Sequence, residues 1–421
     1  MQSSIKLRLT VMNFLQFAVW GAYLTSMGRY LGTAGFGSEI GNFYAMQGLV
    51  SLFMPALMGI VADRWIPAQR LLGLCHMLAG MLMLGVFLYT QTDTPSYPTL
   101  FALYSLSVAF YMPTLALSNS VAYTSLDQAG LDLVKSFPPI RVFGTVGFIC
   151  TMIAVSLLGL EATSGQFAVS AIISLVLAVY AQTLPNCPTA PKGQSKSLVE
   201  ALGLRAFVLF KQRKMALFFI FSMLLGVSLQ ITNGFANPFI STFGEIPAYA
   251  DTFGVKYANI LISLSQLSET LCILLIPFAL RRFGIRRVML IAMVAWVLRF
   301  ALLGLGNPGS GVWLFLLSMI VYGVAFDFFN VSGSLFVDKE TDPSIRSSAQ
   351  GLFMIMTNGI GATLGSLGAQ AVINHFVYSE HDTTAILAGW SMSWYVFAAY
   401  AAVVAVLFAL LFRYNTVTEA K

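Results

Sequence analysis

The chain has 421 residues, 57% of them hydrophobic and only 10% charged, with a formal net charge of +6 and a mean hydropathy of +0.79. A soluble domain carries about 25% charged residues, so this balance excludes a soluble globular protein and identifies an integral membrane protein. The positive charge does not call for a nucleic-acid partner, because the placement of Lys and Arg along the chain accounts for it.

Apolar runs near membrane-spanning length recur from end to end, and each can cross a hydrocarbon core of about 30 Å as a helix. The short alternating segments of about 10 residues that build a β-barrel are not seen. The expected fold is all-α, with twelve transmembrane helices in two six-helix halves. The first six runs are Leu9–Tyr30, Gly41–Ala62, Leu71–Tyr89, Thr99–Thr124, Phe137–Leu160 and Gln166–Leu184. The other six are Met215–Ser241, Tyr257–Leu280, Val288–Leu305, Val312–Val337, Ser347–Ile373 and Gly389–Phe412. The first run is too long for a signal-peptide core and holds Asn13 and Gln16, so it reads as a retained helix.

With the N-terminus in the cytoplasm, alternation puts Lys6, Arg8, Arg64, Arg70, Lys135, Lys192, Lys196, Arg205, Lys211, Arg213, Lys214, Arg281, Arg282, Arg286, Arg287, Lys339, Arg346, Arg413 and Lys421 on the cytoplasmic side. The outside receives only Arg29 and Lys256. This bias fits the positive-inside rule with both termini cytoplasmic. Arg141 and Arg299 stay inside helices; Arg299 is expected near an outer helix end, free to snorkel.

Cys75, Cys150, Cys187 and Cys272 have no CxxC spacing, so neither a disulfide nor a metal site is expected, and no cofactor is implied. His76 is expected near a cytoplasmic helix end, and His375 and His381 in or beside an external loop. The longest internal polar segment, "PNCPTAPKGQSKSLVEALGLRAFVLFKQRK", separates the halves. The domains are therefore 1–185, a cytoplasmic linker at 186–214, and 215–421. Leu198–Phe210 within the linker is apolar enough to lie in the membrane interface.

The halves echo each other. "GIVADRW", with Asp63 and Arg64, corresponds to "PFALRRFGIRR", with Arg281 and Arg282. "VAFYMP" at Val108–Pro113 corresponds to "VAFDFF" at Val324–Phe329, at nearly the same offset. Such repeats put a substrate site near the membrane midplane. Asp63, Arg64, Arg281 and Arg282 read as gating or orientation residues.

Polar residues inside the runs follow helical stripes. Gln16, Trp20 and Tyr23 share a face, as do Tyr44, Gln47 and Ser51, then Tyr111, Thr114 and Ser118, then Arg141, Thr145 and Phe148. Gln230 and Asn233 share a face in the seventh run, Gln266 and Glu269 in the eighth, and Tyr322, Phe326 and Asn330 in the tenth. Any single Asn or Gln here can equally be structural glue between helices, and aromatic stripes can be ordinary packing. Glu269 and Asp327 are different. An acid at a helix centre costs about 2.5–3.5 kcal/mol on insertion scales, so it needs a partner or a proton. Asp327 is turned about 100° from Phe326 and is expected to face helix packing. These groups suit a small, partly flat solute rich in hydroxyls or amides: amides and carboxylates can bond sugar hydroxyls, and the rings can stack on a base. An anionic nucleotide would demand more intramembrane cations than Arg141. Nothing resembles a metalloprotease HExxH or a GxSxG elbow, so an enzyme is not expected.

Twelve helices in two halves with "GIVADR" in the second loop resemble the major facilitator superfamily. More closely, "LQFAVWGAYLT", "FPPIR", "LQITN", "SQLSETL", "AFDFFN" and "SSAQGLFMIMTNG" resemble the bacterial nucleoside:proton symporter family. Phe143 departs from that family's Trp. The resemblance implies a proton-coupled nucleoside uptake transporter working by alternating access. It would lie in the bacterial cytoplasmic (inner) membrane, with nucleoside, protons and the lipid bilayer as its partners; the sequence does not show the oligomeric state, and a monomer is the default expectation. It carries substrate contact onto Arg141, Thr145, Phe148, Gln230, Asn233, Gln266, Glu269, Tyr322 and Phe326. Glu269 and Asp327 are the candidates for proton coupling. The alternative is a proton-coupled symporter for a sugar or another small polar solute.

Overall fold

The computed structural model describes residues 2–189 and 197–414. Residues 190–196 of the expected linker, including Lys192 and Lys196, lie outside the described residues, as does Lys421. No strand occurs among the described residues. In chain order the helices are α1 (Gln2–Gly21), α2 (Met27–Thr33), α3 (Ile40–Ser51), α4 (Met54–Arg64), α5 (Ala68–Tyr89), α6 (Tyr97–Gln128), α7 (Leu133–Leu157), α8 (Gly165–Ala181) and α9 (Leu198–Ala201). They continue with α10 (Arg213–Leu229), α11 (Ile231–Thr242), α12 (Pro247–Ala250), α13 (Phe253–Lys256), α14 (Ala258–Leu305), α15 (Val312–Glu340), α16 (Arg346–Met354), α17 (Ala362–Phe376) and α18 (Thr383–Leu411).

Among the described residues, nine helical segments are long and apolar enough to cross a membrane. One of them, α14, has 48 residues. At 1.5 Å per residue it would be roughly 72 Å long, more than twice a bilayer core. It breaks at Gly284, whose φ of 76° lies in the region that only glycine enters readily. The eighth and ninth runs are therefore its two limbs. The sixth run falls on α8, of 17 residues, and the first on α1 and α2. Several runs are interrupted helices: the chain turns between α1 and α2 at Ala22–Ser26, between α3 and α4 at Leu52–Phe53, and at Gln230 between α10 and α11. Between α16 and α17, Ile355–Gly361 winds as a π-helix.

The chain forms two compact units, Met1–Phe36 with Met46–Leu202, and Gly37–Ala45 with Gly203–Lys421. In the first, α1 packs on α7 backbone to backbone. A Cβ added at Gly147 would sit 2.1 Å from the Phe14 carbonyl oxygen, and one at Gly21 would sit 2.4 Å from that of Phe148. The second unit repeats the device. Cβ atoms at Gly226 and Gly365 would sit 2.3 Å from the Thr357 oxygen and 2.0 Å from the Val227 oxygen, so α10 lies directly on the π-helix and α17. Small residues let membrane helices approach this closely, where packing rather than water exclusion holds them.

The sequence expects an interfacial helix at Leu198–Phe210. The structure has α9, then Gly203 at a φ of 67°, then a 3-10 helix over Leu204–Lys211. Ala206 and Leu209 are buried there, while Phe207 and Val208 are exposed.

Candidate substrate and proton site

In the first unit, Pro138 and Pro139 remove amide donors from α7 in the turn that leads to Arg141. The guanidinium of Arg141 lies over the Phe17 ring of α1, 4.1 Å from its centroid, a cation–π contact. One turn on, Thr145 is half-buried, and Phe148 after it is buried. Phe148 meets Trp20 edge-on at 6.3 Å, and Trp20 meets Tyr111 at 6.0 Å. The Trp20 indole N–H is buried and has no hydrogen-bond partner among the described residues. Phe143 is 46% exposed on another face of α7.

His76 is not near a helix end that reaches the cytoplasm. It is fully buried, with Nδ1 2.9 Å from Ser174 Oγ and Nε2 2.7 Å from Gln16 Oε1. Gln16 in turn donates from Nε2 to Thr114 at 2.7 Å and accepts the Tyr111 hydroxyl on its carbonyl at 2.9 Å. Four helices, α1, α5, α6 and α8, thus meet in one polar network. Sequence reading found Gln16, Tyr111 and Thr114 as stripes but had no local signal for the histidine that joins them.

In the second unit, Gln230 occupies the break between α10 and α11, and Asn233 donates to its side-chain oxygen at 2.8 Å. Both are half-buried. On α15, Tyr322 and Phe326 stack at 5.5 Å with an interplanar angle of 16°. The first limb of α14 lies hard against α15. A Cβ at Gly323 would sit 2.5 Å from the Ser268 carbonyl oxygen, and Ser268 Oγ donates to the Ile320 carbonyl. That contact brings Glu269, half-buried, close enough for its charge to act on both Tyr322 and Asp327. Asp327 is 5% exposed, and its Oδ2 has no hydrogen-bond partner among the described residues. Gln266, one turn before Glu269, is half-buried.

Arg299 does not snorkel. It is 2% exposed and reaches inward to Ser265, Ser318 and Thr232. Of the expected gating residues, Arg64, Arg281 and Arg282 are exposed and Asp63 is half-buried. Arg286 instead ties two helices together. It donates from Nε to the Phe412 carbonyl at 2.6 Å and from Nη2 to that of Ala409 at 2.7 Å. A cation on those last carbonyls complements the helix dipole of α18. No cluster of metal-ligating side chains occurs among the described residues.

An all-helical membrane protein of two compact units, with glycine-mediated packing repeated in each and interrupted helices beside its buried acids, is a multi-pass transporter of the major facilitator type. The sequence pattern of the nucleoside H+ symporters matches residues 3–417, and the chain belongs to that family. It is 50% identical over 415 residues to a xanthosine permease of Escherichia coli (strain K12), covering 98% of this chain and 97% of the relative. It is 46% identical over 417 residues to the nucleoside permease NupG of the same organism, with the same coverage. A crystal structure of the nucleoside transporter NupG superposes with a TM-score of 0.89 at 46% identity, covering 98% of this chain and 100% of that one.

Proposed function

We propose that this protein takes up nucleosides with protons by alternating access, and that its second unit carries the base-stacking and proton-handling groups. The observation that carries the reading is the stacked Tyr322–Phe326 pair beside two acids, Glu269 and Asp327, on closely packed helices. The ring pair suits a planar base, and the Gln230–Asn233 pair and Gln266 suit hydroxyls and amides that both donate and accept. In the first unit, Arg141, Thr145 and Phe148 are the substrate contacts, and Trp20 supplies a further donor.

The acids explain the ion. Two carboxylates that act on each other's charge between membrane helices repel when both are ionised, so a proton on one of them relieves the cost. A symporter needs a group whose charge state differs between loaded and empty forms, and this pair provides one. Asp327, with a buried oxygen that has no hydrogen-bond partner among the described residues, is the deeper of the two. Glu269, beside the rings, is the better placed for a ribose hydroxyl. The carrier sits in the cytoplasmic membrane of a bacterium with both termini inside, an orientation supported by the one-sided distribution of Lys and Arg.

Uptake of labelled uridine into proteoliposomes tests the substrate class. Competition by unlabelled nucleosides and not by sugars is the expected result. Competition by sugars with nucleosides inert would favour a sugar symporter instead.

A further inference from the structure

Arg299 neither stacks on a base nor handles the proton, yet it is the largest buried charge of its unit. Only 2% of it is exposed, and no carboxylate lies within ion-pair distance of it among the described residues. Its partners are neutral. Nη1 donates to the Ser318 carbonyl at 2.8 Å and lies 3.4 Å from Ser265 Oγ, and Nη2 donates to Thr232 Oγ1 at 3.2 Å. Cζ sits 4.5 Å from the centre of the Tyr322 ring. The Ser318 hydroxyl returns a bond to the Arg299 carbonyl at 2.9 Å. A cation in hydrocarbon is expensive, and one serving as an anchor would reach for the surface. This one is held in the interior by three helical segments.

The identity of those partners gives the pattern. Thr232 precedes Asn233, Ser265 precedes Gln266, and Ser318 lies one turn before Tyr322, which the cation itself covers. Each contact is thus to a residue assigned to the nucleoside or to one beside it in the chain or on the helix. A guanidinium is planar and rigid, so it fixes the mutual position of its partners more tightly than an ammonium can.

We propose that Arg299 is a positioning residue for nucleoside binding, whose guanidinium ties Thr232, Ser265 and Tyr322 and thereby sets Asn233, Gln266 and the Tyr322–Phe326 pair against one ligand. This role rests on the nucleoside reading. Arg299 does not touch substrate; it acts through α11, the first limb of α14 and α15.

The test is equilibrium binding of uridine to the purified full-length protein, with thermal unfolding measured alongside. Arg299→Lys keeps the charge and loses the planar fork. Its Kd should rise about tenfold while the unfolding temperature stays within a few degrees of wild type. Combined with Tyr322→Leu, it should lose less than the product of the two single losses, because both changes break the same contact. A Kd within about twofold of wild type in folded Arg299→Lys, or fully multiplicative losses, would overturn the role. If Arg299→Lys does not fold, Thr232→Val and Ser265→Ala remove acceptors and leave the cation in place. Each should raise the KM for uridine about threefold with the maximal exchange rate retained, and an unchanged KM in both overturns the role. Wild-type protein that binds no nucleoside overturns the nucleoside reading, and this role with it. Wild-type protein that binds while the variants match it overturns Arg299 alone.

Discussion

Asp327 and Phe326 are neighbours in the chain with opposite surroundings. Asp327 points into packing with one oxygen unpartnered among the described residues, while Phe326 is half-buried and stacked on Tyr322. Phe326→Ala should therefore weaken nucleoside affinity by about 1–3 kcal/mol through lost stacking, measured by calorimetric titration. Gln266→Ala and Gln230→Ala should each cost about 1–2 kcal/mol, the penalty for leaving a buried partner unsatisfied. Unchanged affinity in all three would mean that nucleoside uses another face of these helices. At Arg141 the guanidinium lies over Phe17, so Arg141→Lys should not transport like wild type in a uridine uptake assay. Full transport by that variant would make Arg141 a surface anchor. The legibility of these residues was uneven for a physical reason. Glu269 and Asp327 stood out because acids are rare in apolar runs, and Tyr322 and Phe326 stood out by helical spacing. Arg299 and His76 could not be read in the same way. Their burial depends on partners 60 and 98 residues away for His76, and as far as 67 away for Arg299, and no local pattern records such distances.

Helices in this protein meet where side chains vanish. Gly147→Leu should force α1 and α7 apart, because even the first added carbon falls 2.1 Å from a carbonyl oxygen. Overpacking of this kind typically costs about 1–3 kcal/mol, and a contact with rigid backbone puts it at the upper end. Among the described residues nothing outside its own helix backbone lies within 4 Å of a Cβ added at Gly351, in α16, so Gly351→Ala is the control. It should leave the protein unchanged or stabilise it by up to about 1 kcal/mol. Thermal unfolding in detergent separates the two, and equal unfolding temperatures for both variants would contradict the packing account. Hydropathy was enough to find the helices but not their interruptions. Gln230 carries no breaker such as Gly or Pro, yet α10 ends there, and the π-helix over Ile355–Gly361 has no composition of its own. The break at Gly284 was the exception, since a glycine between two arginine pairs marks a turn.

The whole molecule is a carrier, so its central property is accumulation rather than binding. Reporter fusions after Arg213 and after Lys421 should both report cytoplasm, as the distribution of basic residues requires. A periplasmic signal from either would overturn that orientation. The composition made the helical membrane class readable. The transported solute was readable only through the family resemblance, because hydroxyl- and amide-binding groups serve sugars and nucleosides alike. The most direct measurement is uridine accumulation in proteoliposomes under an imposed inward proton gradient, comparing wild type with Glu269→Gln, Asp327→Asn and the double variant. Both substitutions keep shape and hydrogen-bonding capacity and remove titration. Wild type should accumulate uridine above equilibrium. The variant that has lost the coupling group should still bind and exchange uridine but stop at equilibrium, with a flattened dependence on external pH. Proton-driven accumulation that survives in both single variants and in the double variant would contradict the assignment of coupling to these two acids.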